Sequence, residues 1–131
     1  MPTNLAAGTF EVKLVPLEAY AGGEDANLGR MSIDKEFLGD LAATSKGEML
    51  SARTAVKGSA GYVAIERVSG LLQGKRGTFV LQHTGTMNQG TPELAVTVVP
   101  DSGTDELVGL AGSMTIDIAE GRHSYTFNYS L

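Results

Sequence analysis

Glu66 and His83 are the two residues of this 131-residue chain whose types and placement fit chemistry. A carboxylate beside an imidazole is an acid–base pair, able to move a proton near neutral pH. The segment from Gly61 to Met87, GYVAIERVSGLLQGKRGTFVLQHTGTM, reads as two strands joined by a tight Gln73-Gly74-Lys75-Arg76 turn. A two-residue loop at Gly74-Lys75 sets Glu66 opposite His83. The same face carries Tyr62, Ala64, Val68 and Gly70, and across from them Phe79, Leu81, Gly85 and Met87. Gly70 opposite Phe79 and Gly85 opposite Ala64 match a small residue with a larger one, as a curved sheet needs. The face is otherwise apolar and is expected to point inward, where a carboxylate and an imidazole must pair or neutralise. Two readings stand side by side. One is an acid–base pair in a pocket, with Tyr62 or Arg53 completing a polar end. The other is a hydrogen bond that fixes two strands, buried or at a solvated rim.

Other chemistry finds little support. With two histidines and no cysteine, disulfides, thiolate catalysis and multi-histidine or cysteine metal sites are excluded, and neither metal nor cofactor is expected. No G-x-S-x-G elbow is present. Gly70 to Arg76 lacks the length, the hydroxyl residue and the following helix of a phosphate loop. Asp101, Asp105 and Glu106 do not have the spacing of a calcium loop, and Asp101-Ser102-Gly103-Thr104 is turn chemistry. Asn128-Tyr129-Ser130 is a formal glycosylation sequon without a secretory leader before it.

Further candidates to contact a ligand come from the strands around the pair. Met31, Ile33, Lys35 and Phe37 share one face, so Lys35 is an interior cation or snorkels to the rim. Tyr125 and Phe127, with Tyr129, either line a cavity or pack a core. The candidate ligand-binding set is Tyr62, Phe79, Arg53, Lys35, Tyr125 and Phe127.

The elements that must hold these residues are strands. Phe10, Val12 and Leu14 alternate with Glu11 and Lys13 in Thr9–Leu17, behind an N-terminal arm at residues 1–8. Ala21–Asn27 is a polar loop, Met31–Leu38 a strand, Gly39-Asp40 a turn. Leu41–Ser45 returns, and Glu48–Ala55 forms another strand. After the Glu66/His83 ribbon come Glu93–Val99 and a long strand at Leu107–Ala119, broken by Gly109 and Gly112. A Glu120-Gly121 turn pairs Ile118 with His123, Ile116 with Tyr125, Met114 with Phe127 and Gly112 with Tyr129, all eight on one face. Thr126, Asn128 and Ser130 then see water. No segment has a sustained helical repeat. Short strands, 17 glycines and no linker predict one all-β domain, a closed eight-stranded antiparallel up-and-down barrel.

Composition narrows the function. Hydrophobic residues make up 42% of the chain, which makes it globular. The net charge of -5, with scattered basic residues and no tryptophan, argues against nucleic acid as a partner. No apolar run reaches membrane-spanning length and the N-terminus is not a signal sequence, so a cytoplasmic protein is expected.

Four stretches occur in order: Gly8–Val12 (GTFEV), Lys35–Leu41 (KEFLGDL), Gly77–His83 (GTFVLQH) and Ser102–Gly112 (SGTDELVGLAG). Together they resemble an uncharacterised bacterial domain-of-unknown-function family with the allene oxide cyclase-like barrel. The resemblance covers about Gly8 to Leu131. It implies a lipocalin-like barrel of eight antiparallel strands and no established activity. Plant allene oxide cyclases bind and isomerise a fatty-acid epoxide inside such a barrel, but the resemblance assigns their catalytic glutamate and water-holding groups to no residue of this chain. Cyclase activity would therefore rest on fold analogy alone. The leading expectation is a small barrel that binds an apolar or amphipathic molecule. The alternatives are an isomerase or cyclase using Glu66 and His83, and a structural domain that self-associates into a homo-oligomer.

Overall fold

A computed structural model of the chain describes residues 3–20 and 27–131. The expected polar loop at Ala21–Asn27 lies, apart from Asn27, outside the described residues. Eight strands run in sequence: β1 (Asn4–Leu17), β2 (Leu28–Gly39), β3 (Leu41–Arg53), β4 (Ala60–Leu72), β5 (Lys75–Asn88), β6 (Thr91–Val98), β7 (Ala111–Ala119) and β8 (Arg122–Ser130). Each pairs antiparallel with the next, and β8 returns to β1, so the sheet closes into a barrel. Closure removes the exposed edges that an open sheet would carry.

Alternation dictates what faces in. Ala6 and Phe10 of β1, Ile33 and Phe37 of β2, and Leu41, Ala43 and Ser45 of β3 are buried, while their sequence neighbours are exposed or half-buried. The β7–β8 hairpin has the register expected from its sequence, Ile118 with His123 through Gly112 with Tyr129. Its Glu120-Gly121 loop has positive φ at both residues, the type I′ geometry that suits twisted strands.

Four expectations need correction. The loop between β4 and β5 is Gln73-Gly74, not Gly74-Lys75, again with positive φ at both positions. Glycine takes the second place of that turn, so every partner shifts by two residues. Glu66 lies opposite Leu81, His83 opposite Ala64, and Tyr62 opposite Gly85. A shift of two keeps both faces intact. Second, Leu41–Ser45 and Glu48–Ala55 are one strand, because Lys46 and Gly47 continue its alternation and pair with Asp34 and Ile33. Third, Leu107 does not begin a strand. Asp105–Leu107 is a 3₁₀ turn, and Leu107 and Leu110 fold inward as a plug. Fourth, most of the expected arm is strand, with Asn4 to Gly8 paired to Tyr129 through Tyr125 of β8.

The barrel is packed solid at the end that holds this plug. Phe37, Leu41, Leu72, Phe79, Leu107 and Phe127 have almost no exposed surface. Phe79 stacks on Phe127 at 5.9 Å and Phe37 meets Tyr125 edge-on at 5.6 Å. The Tyr125 hydroxyl donates to Leu38 O and accepts from Leu41 N, both at 2.9 Å, which ties the β2–β3 turn to the core. A Cβ on Gly8 would lie 2.0 Å from Leu38 O, so only glycine permits that approach. Where β6 leaves β5, the loop supplies hydroxyls in place of ladder carbonyls: Val80 N donates to Ser102 Oγ and Thr78 N to Thr104 Oγ1, each at 3.0 Å.

The ladders differ in length. β3–β4 and β4–β5 pair along nearly their whole lengths, whereas β6 and β7 are joined only at Val96–Met114 and Thr97–Ser113. Thr91–Ala95 therefore pairs with β5 alone, and Thr115–Ala119 with β8 alone.

Candidate functional site

Opposite the plug, the inward-facing positions of the same strands change character. Among the described residues Ser45, Glu66 and His83 are the buried polar side chains, drawn from β3, β4 and β5, and Lys35 of β2 joins them. Each sits at an inward position of its strand, so the alternation that fills the core also brings these four together. Glu66 is 0% exposed and His83 3%.

Glu66 is the hub. Its Oε1 accepts from Ser45 Oγ at 2.8 Å; its Oε2 accepts from Lys35 Nζ at 2.8 Å and from His83 Nε2 at 2.6 Å. Burial by itself pushes the Glu66 carboxyl up. The hydrogen bonds from His83 and Lys35 and their positive charge outweigh it, and the carboxyl is pushed down to about 2. The carboxylate is thus ionised, Nε2–H donates to it, and a neutral His83 would carry its lone pair on Nδ1. Lys35 Nζ also lies 4.8 Å above the ring of Phe10.

Among the described residues Nδ1 of His83 has no hydrogen-bond partner. Among the described residues no buried polar side-chain atom is left unsatisfied. Nδ1 therefore reaches space open to water, even though the residue is almost wholly enclosed. At the strand ends away from the plug stand apolar side chains at inward positions that the core does not cover: Leu14, Met87, Leu94 and Ile118 are all exposed, Ile118 to 67%.

Tyr62 forms one wall beside the cluster. Its ring lies 6.3 Å from the His83 ring and over Gly85, where a Cβ would come within 2.4 Å of it. Burial and the nearby Glu66 charge push the Tyr62 hydroxyl up, so it stays protonated. Gly47, opposite Glu66, is needed for the same kind of reason: a Cβ there would meet the Glu66 backbone at 2.6 Å.

The six residues expected to contact a ligand divide. Lys35 and Tyr62 adjoin Glu66 and His83. Phe79, Phe127 and Tyr125 are buried in the core near the plug, away from Glu66 and His83. Arg53 is exposed at the end of β3, and its side chain joins no hydrogen bond of the cluster. Ser45 was missed from sequence, although the alternation Leu41, Ala43, Ser45 signals its inward position. Two broad grooves are present. One runs over β1, β2 and β3 past Glu11, Lys13 and Glu36 and counts Lys35 and Ser45 of the cluster in its lining, the other runs past Leu50, Val63 and Ile65; neither is lined by Glu66 or His83. Among the described residues no cluster of three or more His, Asp or Glu could hold a metal ion, and no helix is long and apolar enough to cross a membrane.

Comparison with known proteins agrees with the barrel and names no activity. The family model described as "Protein of unknown function (DUF3224)" matches residues 6–129. The crystal structure of a protein with unknown function from the DUF3224 family of Shewanella oneidensis MR-1 is similar to the chain at 55% identity and a TM-score of 0.95. The similarity covers 99% of this chain and 98% of that one. No curated protein matches the chain.

Proposed function

We propose that this chain, which belongs to the DUF3224 family, binds a small amphipathic molecule at the open end of its barrel. The head group would lie against Lys35 and His83 and the apolar part against the rim. The observation that carries this reading is the pairing of a buried polar floor with an uncovered apolar mouth. Glu66 is saturated by Ser45, Lys35 and His83, while Leu14, Met87, Leu94 and Ile118 turn inward and stay exposed. Concave sites lined by apolar groups with a few fixed polar ones are the usual form of a small-molecule site.

Native mass spectrometry of the protein purified from its own host, with a fatty-acid and isoprenoid titration followed by NMR, tests the reading. Bound mass and shifts at Leu14, Leu94 and Ile118 are expected. Perturbation limited to the outer wall, or none at any rim residue, would remove it.

A second reading is favoured by the free Nδ1. A carboxylate that orients an imidazole leaves the far nitrogen as a general base, and an isomerase or cyclase would use it on a bound substrate. Here Glu66→Gln and His83→Ala should each abolish turnover of any substrate found, and unchanged turnover in either variant rejects the assignment.

A further inference from the structure

We propose that the seam between β6 and β7 is a docking edge for an extended segment of another protein, one with a basic side chain between apolar ones. This does not depend on the amphiphile reading, although Leu94 and Ile118 belong to both surfaces.

β6 and β7 are tied only at Val96–Met114 and Thr97–Ser113. The same register, carried on, would set Ala95 against Thr115, Leu94 against Ile116, Glu93 against Asp117 and Pro92 against Ile118. The last two pairs explain why the ladder stops. Like charges directly opposite each other destabilise a strand pair, and proline has no N–H to give. Neither Glu93 nor Asp117 joins an ion pair among the described residues. Thr91–Ala95 are all exposed, and so is Ile118.

Two-residue turns fix which backbone groups are left over. Residues flanking such a turn bond to each other, so Asn88 with Thr91 and Ala119 with Arg122 are hydrogen-bonded pairs. Val99 N, which donates to Val80 O at 2.9 Å, has the same parity as Thr91. Glu93 and Ala95 thus turn their N–H and C=O to β5, and Thr115 and Asp117 turn theirs to β8. Leu94, Ile116 and Ile118 turn both groups to the seam, and among the described residues no turn or loop backbone group bonds to them. An unpaired edge of this kind can take on a further strand. β7 offers the better edge, because Pro92 leaves β6 one donor short.

Alternation then sets the side chains of the guest. Ile116 packs against the core, so Asp117 points outward. A segment antiparallel to β7 bonds to Ile116 and Ile118 through two residues that point inward, where apolar side chains fit. The residue between them points outward beside Asp117, with Glu93 across the seam. A lysine or arginine there meets both carboxylates. A second copy of this chain fits poorly: antiparallel pairing of two β7 edges through Ile116 and Ile118 sets one Asp117 against the other.

Amide hydrogen exchange followed by NMR, with the acetylated and amidated pentapeptide Val-Lys-Val-Lys-Val as probe, tests this. In the free protein the Leu94, Ile116 and Ile118 amides should exchange fast and those of Thr115 and Asp117 slowly. The peptide should protect Ile116 and Ile118, less so at high salt, and Val-Glu-Val-Glu-Val should not. Asp117→Lys should weaken binding about tenfold. Ile118→Pro gives up a seam donor but no bond to β8, and should abolish binding. Both variants should keep the far-ultraviolet spectrum of the barrel; if Ile118→Pro does not fold, Asp117→Lys decides. Slow exchange at Ile116 and Ile118 in dilute free protein, no protection by the lysine peptide, or equal affinity for the glutamate peptide overturns the proposal. Protection that grows as the free protein is concentrated overturns it in favour of a second copy.

Discussion

The two ends of this barrel use the same alternation for opposite purposes. At the plugged end the inward positions are mostly apolar, and Phe79, Phe127, Leu72 and Leu107 are almost wholly buried. At the open end the inward positions include a serine, a lysine, a glutamate and a histidine, and the rim above them is left uncovered. Stability is therefore concentrated at one end and chemical capacity at the other. A side chain's strand and parity tell only that it faces inward; its height along the barrel tells which of the two tasks it serves.

Substitutions at the two ends should separate these tasks. Phe127→Ala at the plugged end removes a fully buried ring and should cost about 3–5 kcal/mol in denaturant unfolding, with little change in ligand affinity in protein that remains folded. Glu66→Ala should cost less, roughly 2–3 kcal/mol, because it strands the Lys35 ammonium but removes no ring from the core. A loss for Glu66→Ala that matched or exceeded the loss for Phe127→Ala would erase the distinction.

Acid should expose the same contrast. The folded-state pKa of Glu66, about 2, lies below its ordinary 4.5. The stability that its ionised form contributes is thus fully present above about pH 4.5 and is lost as pH falls towards 2. Between pH 7 and pH 3 the wild type should lose about 2 kcal/mol more than Glu66→Gln, read from unfolding curves at both pH values. Equal losses would mean that the carboxylate is not held by its partners. The smallest effect on stability belongs to the rim: Ile118→Ser should change it by less than about 0.5 kcal/mol yet weaken amphiphile binding. Unaltered binding there would move the site away from the mouth.

Most of the barrel can be read from the chain because alternation with a period of two is a local signal. The β7–β8 register followed from Glu120-Gly121 alone. The β4–β5 register did not, because Gln73-Gly74-Lys75 offers glycine at either place of a two-residue turn. Glu120-Gly121 in the same chain favours the second place, and Gln73-Gly74 follows it. The candidate site was legible as far as Glu66, His83, Tyr62 and Lys35, all of which lie on inward faces. What sequence could not give was height. Phe79 and Phe127 have the same inward parity as His83, and only the tilt of the strands and the inward fold of Leu107 decide that they are sealed. Arg53 shows the converse: it has inward parity on β3 but lies beyond the wall's last covered level and faces water.

The two-pair tie between β6 and β7 has a mechanical consequence. Parting the wall there breaks far fewer bonds than anywhere along β3–β4 or β4–β5. Heat or pulling force should unroll the cylinder from this line into a single ribbon with β6 and β7 as its margins. Such a ribbon has two raw edges able to recruit strands from other chains, so this tie is where the native barrel guards against clumping.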